Sequence, residues 1–394
     1  MADNKIANLY LKLCATSVFY KVIETPVIKS FFAYCKATKL DEKTQCYAKF
    51  VSTVYENGET LNDAVKKSLF EDENVYVKKL ACSLLPNEKI MESAQRELDV
   101  FSEFIALSKK DFALDMNVYG DFLPDFESKE ENMQAVFAER IKNIEKYGYG
   151  IFASYSMFRL SDDKVIEPII SADRANVKDF IGYEDERRKV VDNTIAFIEG
   201  RPAANTLLCG DAGTGKSSTV KAVANDFFAK GVRLIELRKD QLSLLPYVMG
   251  KISDNPLKFI IFIDDLSFNQ NDDNFSMLKA ALEGSASAKT DNSVIYATSN
   301  RRHIVKESFA ERDCDDVHRN DTMQETLSLS DRFGLVVLFS KPNKQLYLKI
   351  VKELAVRNKI SMDGKEMEIK AEEFALRKGN RSARCAEQFI RSLM

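Results

Sequence analysis

The chain has 394 residues, too many for one typical hydrophobic core, so we expect two or three domains. Its net charge of −3 excludes a uniformly basic protein that holds a polyanion by counterion release. A composition of 45% hydrophobic and 30% charged residues is typical of soluble globular proteins. We find neither a signal-peptide pattern nor an apolar stretch long enough to cross a bilayer, and we therefore expect a cytoplasmic protein with no membrane partner.

Residues 1–146 have apolar residues three and four positions apart, which predicts a mainly helical domain. No catalytic motif occurs in this part, so we expect it to recognise a partner. Residues 147–176 are dense in aromatic residues and glycine at their start. Aromatic side chains could stack nucleic-acid bases there, but few basic residues flank them. A β-rich connector packed on the next domain is the favoured interpretation.

A glycine-rich stretch, Gly210-Asp-Ala-Gly-Thr-Gly-Lys-Ser217, follows a short apolar run and precedes a helical pattern that begins near Lys216. Its glycines allow a tight turn in which N–H groups and a helix N-terminus converge on an anion. Lys216 adds a positive charge for the β- and γ-phosphates, and the Ser217 hydroxyl suits Mg²⁺. This pattern is a P-loop. The predicted nucleotide-binding residues in it are Gly210, Asp211, Ala212, Gly213, Thr214, Gly215, Lys216, Ser217 and Ser218.

A second apolar run, 258–263, ends in Asp264 and Asp265 and is typical of a strand buried on both faces. A carboxylate after such a strand reaches the ligand crevice of an open α/β sheet. Asp264 is therefore the expected Mg²⁺ ligand beside Ser217. Asp265 is expected to polarise the attacking water. It is one methylene shorter than the Glu common at this position, which leaves the rate of hydrolysis open.

Three further strands are predicted at 232–237, 293–300 and 335–339. After Pro342 the pattern predicts small helices at 344–358, 371–377 and 382–393. One further pair, Cys314 and His318, could supply metal ligands. A polar loop is the favoured interpretation of that pair.

Five segments together resemble the AAA+ ATPases: GDAGTGKS, IIFIDDLSF, YATSNRRH, LSLSDRFG and GNRSARCAEQFI. More closely, the chain is similar to an uncharacterised bacterial family of predicted ATP-binding proteins with a helical N-terminal region. The resemblance implies an α/β P-loop AAA+ module at 177–341, with a five-stranded parallel sheet, and a helical lid at 342–394. Ile181 and Gly182 would lie near the adenine.

The resemblance also implies roles for single residues. Asn300 would be sensor 1, which positions water and the γ-phosphate. Arg332 would be the arginine finger that acts on a neighbouring subunit's nucleotide. Arg384 would be sensor 2 of the lid, with Arg381 as the competing assignment.

The resulting hypothesis is an ATPase that uses ATP and Mg²⁺ to remodel or load a macromolecular partner, assembled as a homo-oligomer with shared nucleotide sites. Its catalytic residues would be Asp265, Asn300, Arg332 and Arg384. One alternative is a switch or scaffold that binds ATP and hydrolyses it slowly or not at all. Another is a DNA loader with a basic patch at 301–303, but nucleic acid is the less favoured partner. The stretch 246–250 resembles a loop with which ring ATPases grip a polypeptide, but its position in a predicted helix favours an ordinary helix turn.

Overall fold

The computed structural model describes residues 5–266, 277, 278, 282, 291–300 and 332–394. The chain divides into two compact units, Met1–Ser154 and Tyr155–Met394. Within the described ranges, the helices are all too short or too polar to cross a membrane.

The first unit is built from α-helices, as the apolar spacing predicted. Asn74, Asn87 and Asn132 each begin a helix, because their side chains accept the N–H of the residue three positions on. The helix starts are therefore encoded locally. The helices are α1 Lys5–Cys14, α2 Tyr20–Ile23, α3 Pro26–Lys36, α4 Leu40–Asn57, α5 Leu61–Glu71, α6 Val75–Ala81, α7 Glu88–Ile105, α8 Lys109–Met116, α9 Met133–Lys142 and α10 Ile144–Tyr147.

An aromatic cluster fills the core of this unit. Phe31, Phe50, Phe104 and Phe112 are all fully buried. The rings of Phe31 and Phe104 meet edge to face with centroids 5.0 Å apart, and those of Phe50 and Phe112 lie 5.4 Å apart. Pairs of this kind stabilise a core beyond the apolar area that they bury. The cluster joins α3, α4, α7 and α8.

A buried carboxylate fixes the chain between α1 and α2. Glu97 on α7 is 2% exposed. Its Oε1 accepts the N–H and the hydroxyl of Ser17, at 2.8 and 2.7 Å. Its Oε2 accepts the N–H groups of Val18 and Phe19, at 3.0 and 2.9 Å. One side chain thus satisfies three consecutive main-chain donors.

Replacing Glu97 with alanine is expected to lower the free energy of unfolding by about 3 kcal/mol, because three main-chain donors lose their acceptor. The chain has no tryptophan, so urea unfolding followed by far-ultraviolet circular dichroism is the suitable measurement. Glu92 on the same helix is exposed and serves as the control. Glu92→Ala is expected to change the free energy by less than about 0.5 kcal/mol. Equal losses in the two variants would contradict the role given to Glu97.

The second unit contains a seven-stranded sheet in the order β2-β1-β4-β5-β6-β3-β7. Only the β1–β2 pair is antiparallel. The five predicted strands, β3 to β7, lie side by side and parallel, which confirms the predicted fold class. The strands are β1 Met157–Leu160, β2 Ile166–Pro168, β3 Thr206–Gly210, β4 Val232–Leu237, β5 Lys258–Ile263, β6 Ser293–Ser299 and β7 Leu335–Phe339.

The sheet is two strands wider than predicted. β1 and β2 come from residues that the sequence assigned to a connector. β1 pairs with β4 in parallel, with Phe158 opposite Ile235, and Phe158 is fully buried. Strands of four and three residues are too short to show a period in the sequence. β1 is a strand because it pairs with β4, and β2 is a strand because it pairs with β1.

Six α-helices of this unit lie wholly within the described residues. Residues 246–250 fall inside a helix, as predicted. The second lid helix starts at Gly364, where the pattern predicted 371, because the Asp363 side chain caps it by accepting two N–H groups. The helices are α11 Glu184–Ile198, α12 Lys216–Asp226, α13 Leu245–Ile252, α14 Lys344–Arg357, α15 Gly364–Arg377 and α16 Ala383–Arg391.

The register of the central strands determines where the predicted site residues meet. Cys209 of β3 lies opposite Ser299 of β6, and Ala297 of β6 lies opposite Ile263 of β5. The P-loop, Asp264 and Asn300 therefore follow three neighbouring parallel strands at the same edge. Ligands of open α/β sheets bind at this carboxyl edge.

Candidate nucleotide-binding site

The P-loop is a tight turn that only its glycines permit. Gly213 and Gly215 have φ of +77° and +91°, in the left-handed region. Gly210 has φ of +133°, and a side chain there would collide with the carbonyl of Phe339. Gly215 is the N-cap of α12, so the free N–H groups of the first helical turn begin at the loop. The turn and the helix together form an anion-binding end.

Lys216 is the first residue of α12, and its side chain packs against the loop. The residue is 5% exposed. Its Nζ donates to the carbonyls of Gly210 and Asp211, at 2.9 and 2.8 Å, and to Asn300 Oδ1 at 2.9 Å. All three acceptors are neutral. Burial lowers the pKa of Lys216, and nearby carboxylates such as Asp211 and Asp265 oppose this shift. A buried ammonium group held by neutral oxygens fits a phosphate ligand.

Asp264 lies beside the first turn of α12. Its Oδ1 accepts the hydroxyl of Ser217 at 2.6 Å and that of Thr298 at 2.5 Å. It also accepts the N–H of Asp265 at 3.1 Å. A carboxylate and a hydroxyl placed together are the oxygen ligands that Mg²⁺ takes in nucleotide sites. The residues present therefore fit this metal.

Asn300 connects Lys216 with the second acidic residue. Its Nδ2 donates to Asp265 Oδ1 at 2.7 Å, while its Oδ1 accepts a hydrogen bond from Lys216 Nζ. Asp265 has φ of +51°, a left-handed conformation that is unfavourable for a residue with a side chain. Its N–H donates to Thr298 Oγ1 at 3.0 Å, which helps to hold it there. Backbone strain of this kind concentrates at functional sites.

Thr298 was not singled out from the sequence. It is 1% exposed, and its hydroxyl bonds to both Asp264 and the N–H of Asp265. Alignment of the two parallel strands would have placed it opposite Asp264, because Ala297 pairs with Ile263. The signal in the sequence that could have identified Thr298 is therefore a polar residue at the end of β6, level with Asp264 at the end of β5.

The lid meets the P-loop at the N-terminus of α16. The N–H of Arg384 donates to the carbonyl of Gly213 at 3.2 Å. Arg384 and Gly213 line the same cavity of about 110 Å³, together with Ser218. Arg381 instead forms a two-point ion pair with Glu372, at 3.0 and 2.6 Å. Of the two competing arginines, Arg384 is therefore the one that contacts the P-loop.

Part of the lining of this cavity is apolar. It comes from Ile181 and from Ile350 and Leu354 of α14. Gly182 follows with φ of +76°, in the turn that leads to α11. Tyr183 next to it donates its hydroxyl to the carbonyl of Ser340 at 2.7 Å. The segment predicted to lie near the adenine therefore borders the cavity, with lid side chains opposite.

The remaining predicted residues occupy other positions. Arg332 is half-buried in the turn before β7 and is not among the described residues that line this cavity. Asp211 accepts the N–H of Lys341 at 2.8 Å, at the end of β7. Ala212 is exposed in the loop. Cys314, His318 and the basic patch at 301–303 lie outside the described residues.

Solved structures similar to this chain include a substituted form of RuvB from Thermotoga maritima, with 14% identity and a TM-score of 0.38. That match covers 55% of this chain and 63% of the RuvB chain. A second one, described as the Thermotoga maritima RuvB Holliday junction branch migration motor, has 13% identity and a TM-score of 0.35. It covers 56% of this chain and 70% of that chain. A search of curated proteins found no match.

The sequence profile of one protein family matches residues 153–394. These residues include both extra strands, the P-loop, the strand ends that carry Asp264 and Asn300, and the whole lid. The resemblance to an uncharacterised family is thereby confirmed. Since the match covers more than half of the chain, the protein belongs to the family described as Protein of unknown function (DUF815).

Proposed function

We propose that the protein is an AAA+ ATPase that binds ATP with Mg²⁺ and hydrolyses it to remodel or load a macromolecular partner. The observation that carries the proposal is the connected set of Lys216, Asn300 and Asp265 beside the Ser217–Asp264 pair. Lys216 would bind phosphate, Asp265 would orient the attacking water, and Ser217 with Asp264 would bind the metal, all at one edge of the sheet. Residues 1–146 would recognise the partner.

In this proposal the protein catalyses hydrolysis mainly by positioning charged groups, and no side chain forms a covalent bond to the substrate. Lys216 and the loop amides would hold the phosphates, and Ser217 and Asp264 would hold the metal. Mg²⁺, when bound, neutralises charge that develops on the phosphate oxygens. Asn300 occupies one oxygen of Asp265, and the other oxygen would accept a hydrogen bond from the attacking water. Arg384 would contact the phosphates from the lid.

A nucleotide-dependent switch is the second candidate. It is favoured by Asp265, whose carboxylate is shorter than that of Glu and whose Oδ1 is already held by Asn300. Such a protein would bind ATP and form an oligomer but would hydrolyse the ATP slowly. Measured turnover separates the two candidates.

The test of a shared site is phosphate release as a function of protein concentration. We expect turnover per chain to rise with concentration, and Arg332→Ala to lower it at least about 100-fold, because an arginine finger from a neighbour stabilises the transferred phosphoryl group. An equimolar mixture of Arg332→Ala and Asp265→Asn should recover part of the activity. In mixed assemblies, a subunit with intact Asp265 can receive Arg332 from its neighbour.

Two results would count against parts of this proposal. Concentration-independent turnover with no recovery in the mixture would contradict a site shared between subunits. Phosphate release no higher than that of Lys216→Ala, with ATP still bound by the wild type, would favour the switch.

A further inference from the structure

The chain leaves the regular ladder between β5 and β6 at Asp265. Within the ladder, the N–H of Phe259 donates to the carbonyl of Asn292. In a parallel ladder every second N–H of one strand donates to every second carbonyl of its neighbour, so the N–H of Asp265 would donate to the carbonyl of Thr298. That carbonyl instead accepts the N–H of Leu266, at 2.7 Å. Asp265 is therefore an extra residue at the strand end, as in a β-bulge.

The side chain of Thr298 replaces the hydrogen bond that this extra residue loses. Its Oγ1 accepts the N–H of Asp265 at 3.0 Å, and the same N–H also reaches Asp264 Oδ1 at 3.1 Å. The hydroxyl in turn donates to Asp264 Oδ1 at 2.5 Å. Because a main-chain N–H can only donate, the proton of the hydroxyl is directed to the carboxylate. One hydroxyl thus holds the main chain of one acidic residue and the side chain of the other.

The bulge determines where the carboxylate of Asp265 lies. An extra residue of this kind re-aims the side chain that it carries. The carboxylate reaches Asn300 Nδ2 at 2.7 Å, and Asn300 is also bonded to Lys216. The φ of Asp265 is +51°, and such a conformation persists only where surrounding contacts enforce it. The hydroxyl of Thr298 is one of those contacts.

We propose that Thr298 is a positioning residue for ATP hydrolysis, which keeps the Asp265 carboxylate directed at the attacking water by bonding the displaced N–H of Asp265. The inference rests on the proposed function, since it adds a residue to the same site. Thr298 is 1% exposed, so it acts through Asp265 and not by contact with ATP. Its hydroxyl should therefore matter for the rate of hydrolysis and not for the binding of ATP.

Phosphate release and equilibrium ATP binding, both with Mg²⁺, test the proposal in Thr298→Val and Thr298→Ser. Valine has nearly the shape of threonine but lacks the hydroxyl. We expect Thr298→Val to lower the maximal rate at least about tenfold and to keep the ATP affinity within about threefold of the wild type. Thr298→Ser keeps the hydroxyl, so it should retain the rate within about threefold.

Thr194 on α11 provides the matched control. It is fully buried, and its hydroxyl bonds to the carbonyl of Val190 and to the hydroxyl of Tyr296 on β6, at 2.8 and 2.7 Å. Thr194→Val makes the same chemical change beside the same strand, and neither of these bonds involves an acidic residue. It should keep the maximal rate within about twofold. A loss of rate caused only by weakened folding would appear in both valine variants.

Combination with Asp265→Asn shows whether Thr298 acts through Asp265. Single-turnover phosphate release with protein in excess measures the slow rates of such variants. If Thr298 acts through Asp265, adding Thr298→Val to Asp265→Asn should change the residual rate by less than about twofold, because the carboxylate that it positions is already lost. Losses that multiply would indicate an independent role, such as holding Asp264.

Amide hydrogen exchange of the nucleotide-free protein, followed by NMR, tests the hydrogen bond without ATP hydrolysis. The N–H of Asp265 should exchange at least about tenfold faster in Thr298→Val than in the wild type, because its Oγ1 acceptor is removed. In Thr298→Ser the exchange should stay close to that of the wild type. Equal exchange in all three proteins would contradict the contact on which the inference depends.

The kinetic results separate failure of the inference from failure of the proposed function. Unchanged turnover in Thr298→Val, an equal loss in Thr194→Val, or losses that multiply with Asp265→Asn would each overturn the positioning role and leave the proposed function intact. If the wild type releases no more phosphate than Lys216→Ala, the proposed hydrolysis itself fails and the positioning role fails with it.

Discussion

Replacement of Lys216 with alanine is expected to lower the affinity for ATP at least about 100-fold, because two or more charge-assisted hydrogen bonds to phosphate are lost. Lys216 is almost fully buried, and its three acceptors are neutral oxygens of the loop and of Asn300. Lys216 therefore provides a positive charge that, within the described part of the chain, no carboxylate in direct hydrogen-bond contact neutralises. Removing it leaves the amide groups to hold the phosphates alone.

Isothermal titration calorimetry with ATP and Mg²⁺ measures this effect. Lys221 is the matched control, since it lies on the same helix and pairs with Glu236 at 3.1 Å. Lys221→Ala should keep the affinity of the wild type within about threefold. Unchanged ATP affinity in Lys216→Ala, with α12 intact by circular dichroism, would be incompatible with phosphate binding at this loop.

Replacement of Asp264 with asparagine is expected to lower the maximal rate of phosphate release about 1,000-fold, since the metal-binding charge is lost while the side-chain shape is kept. Asparagine retains an oxygen that can accept the hydroxyls of Ser217 and Thr298, so the sheet edge should remain folded. The loss should therefore come from the metal. It should also remove the gain in ATP affinity that Mg²⁺ gives.

Titrating Mg²⁺ against ATP affinity and against phosphate release separates the two acidic residues. Asp265→Asn is the comparison variant, because Asp265 contacts Asn300 and has no hydrogen bond to Ser217. It should keep the dependence of ATP affinity on Mg²⁺ and lose turnover. If Asp264→Asn retains that dependence and Asp265→Asn loses it, the two roles are reversed.

The parts of the fold that the sequence predicted are those in which local pattern and long-range packing agree. β5 is a continuous apolar run that is buried along almost its whole length, and its end could be placed before Asp264. The P-loop was equally clear, because its glycines adopt backbone conformations that other residues avoid. Both features depend on residue type at fixed spacing.

The parts that could not be predicted depend on partners distant in the sequence. β1 is a strand because β4 lies beside it. Arg187 and Arg188 belong to one charged run, and nothing in their immediate sequence distinguishes them. One residue of helix turns the side chain by about 100°, so the first is buried against Phe180 and the second is exposed. Only the packed structure determines which of the two meets the cavity.

The end of β7 joins the sheet to the C-terminal helices, and two distant segments form hydrogen bonds with the chain there. The carbonyl of Ser340 accepts the Tyr183 hydroxyl, and the N–H of Lys341 donates to Asp211. Tyr183 precedes α11, and Asp211 belongs to the P-loop. Two segments of the α/β part thus hold the chain just before the C-terminal helices. A movement of α14, α15 and α16 that kept both hydrogen bonds would therefore have to turn at or after Lys341, and Pro342, whose ring fixes its own φ, restricts the direction of that turn.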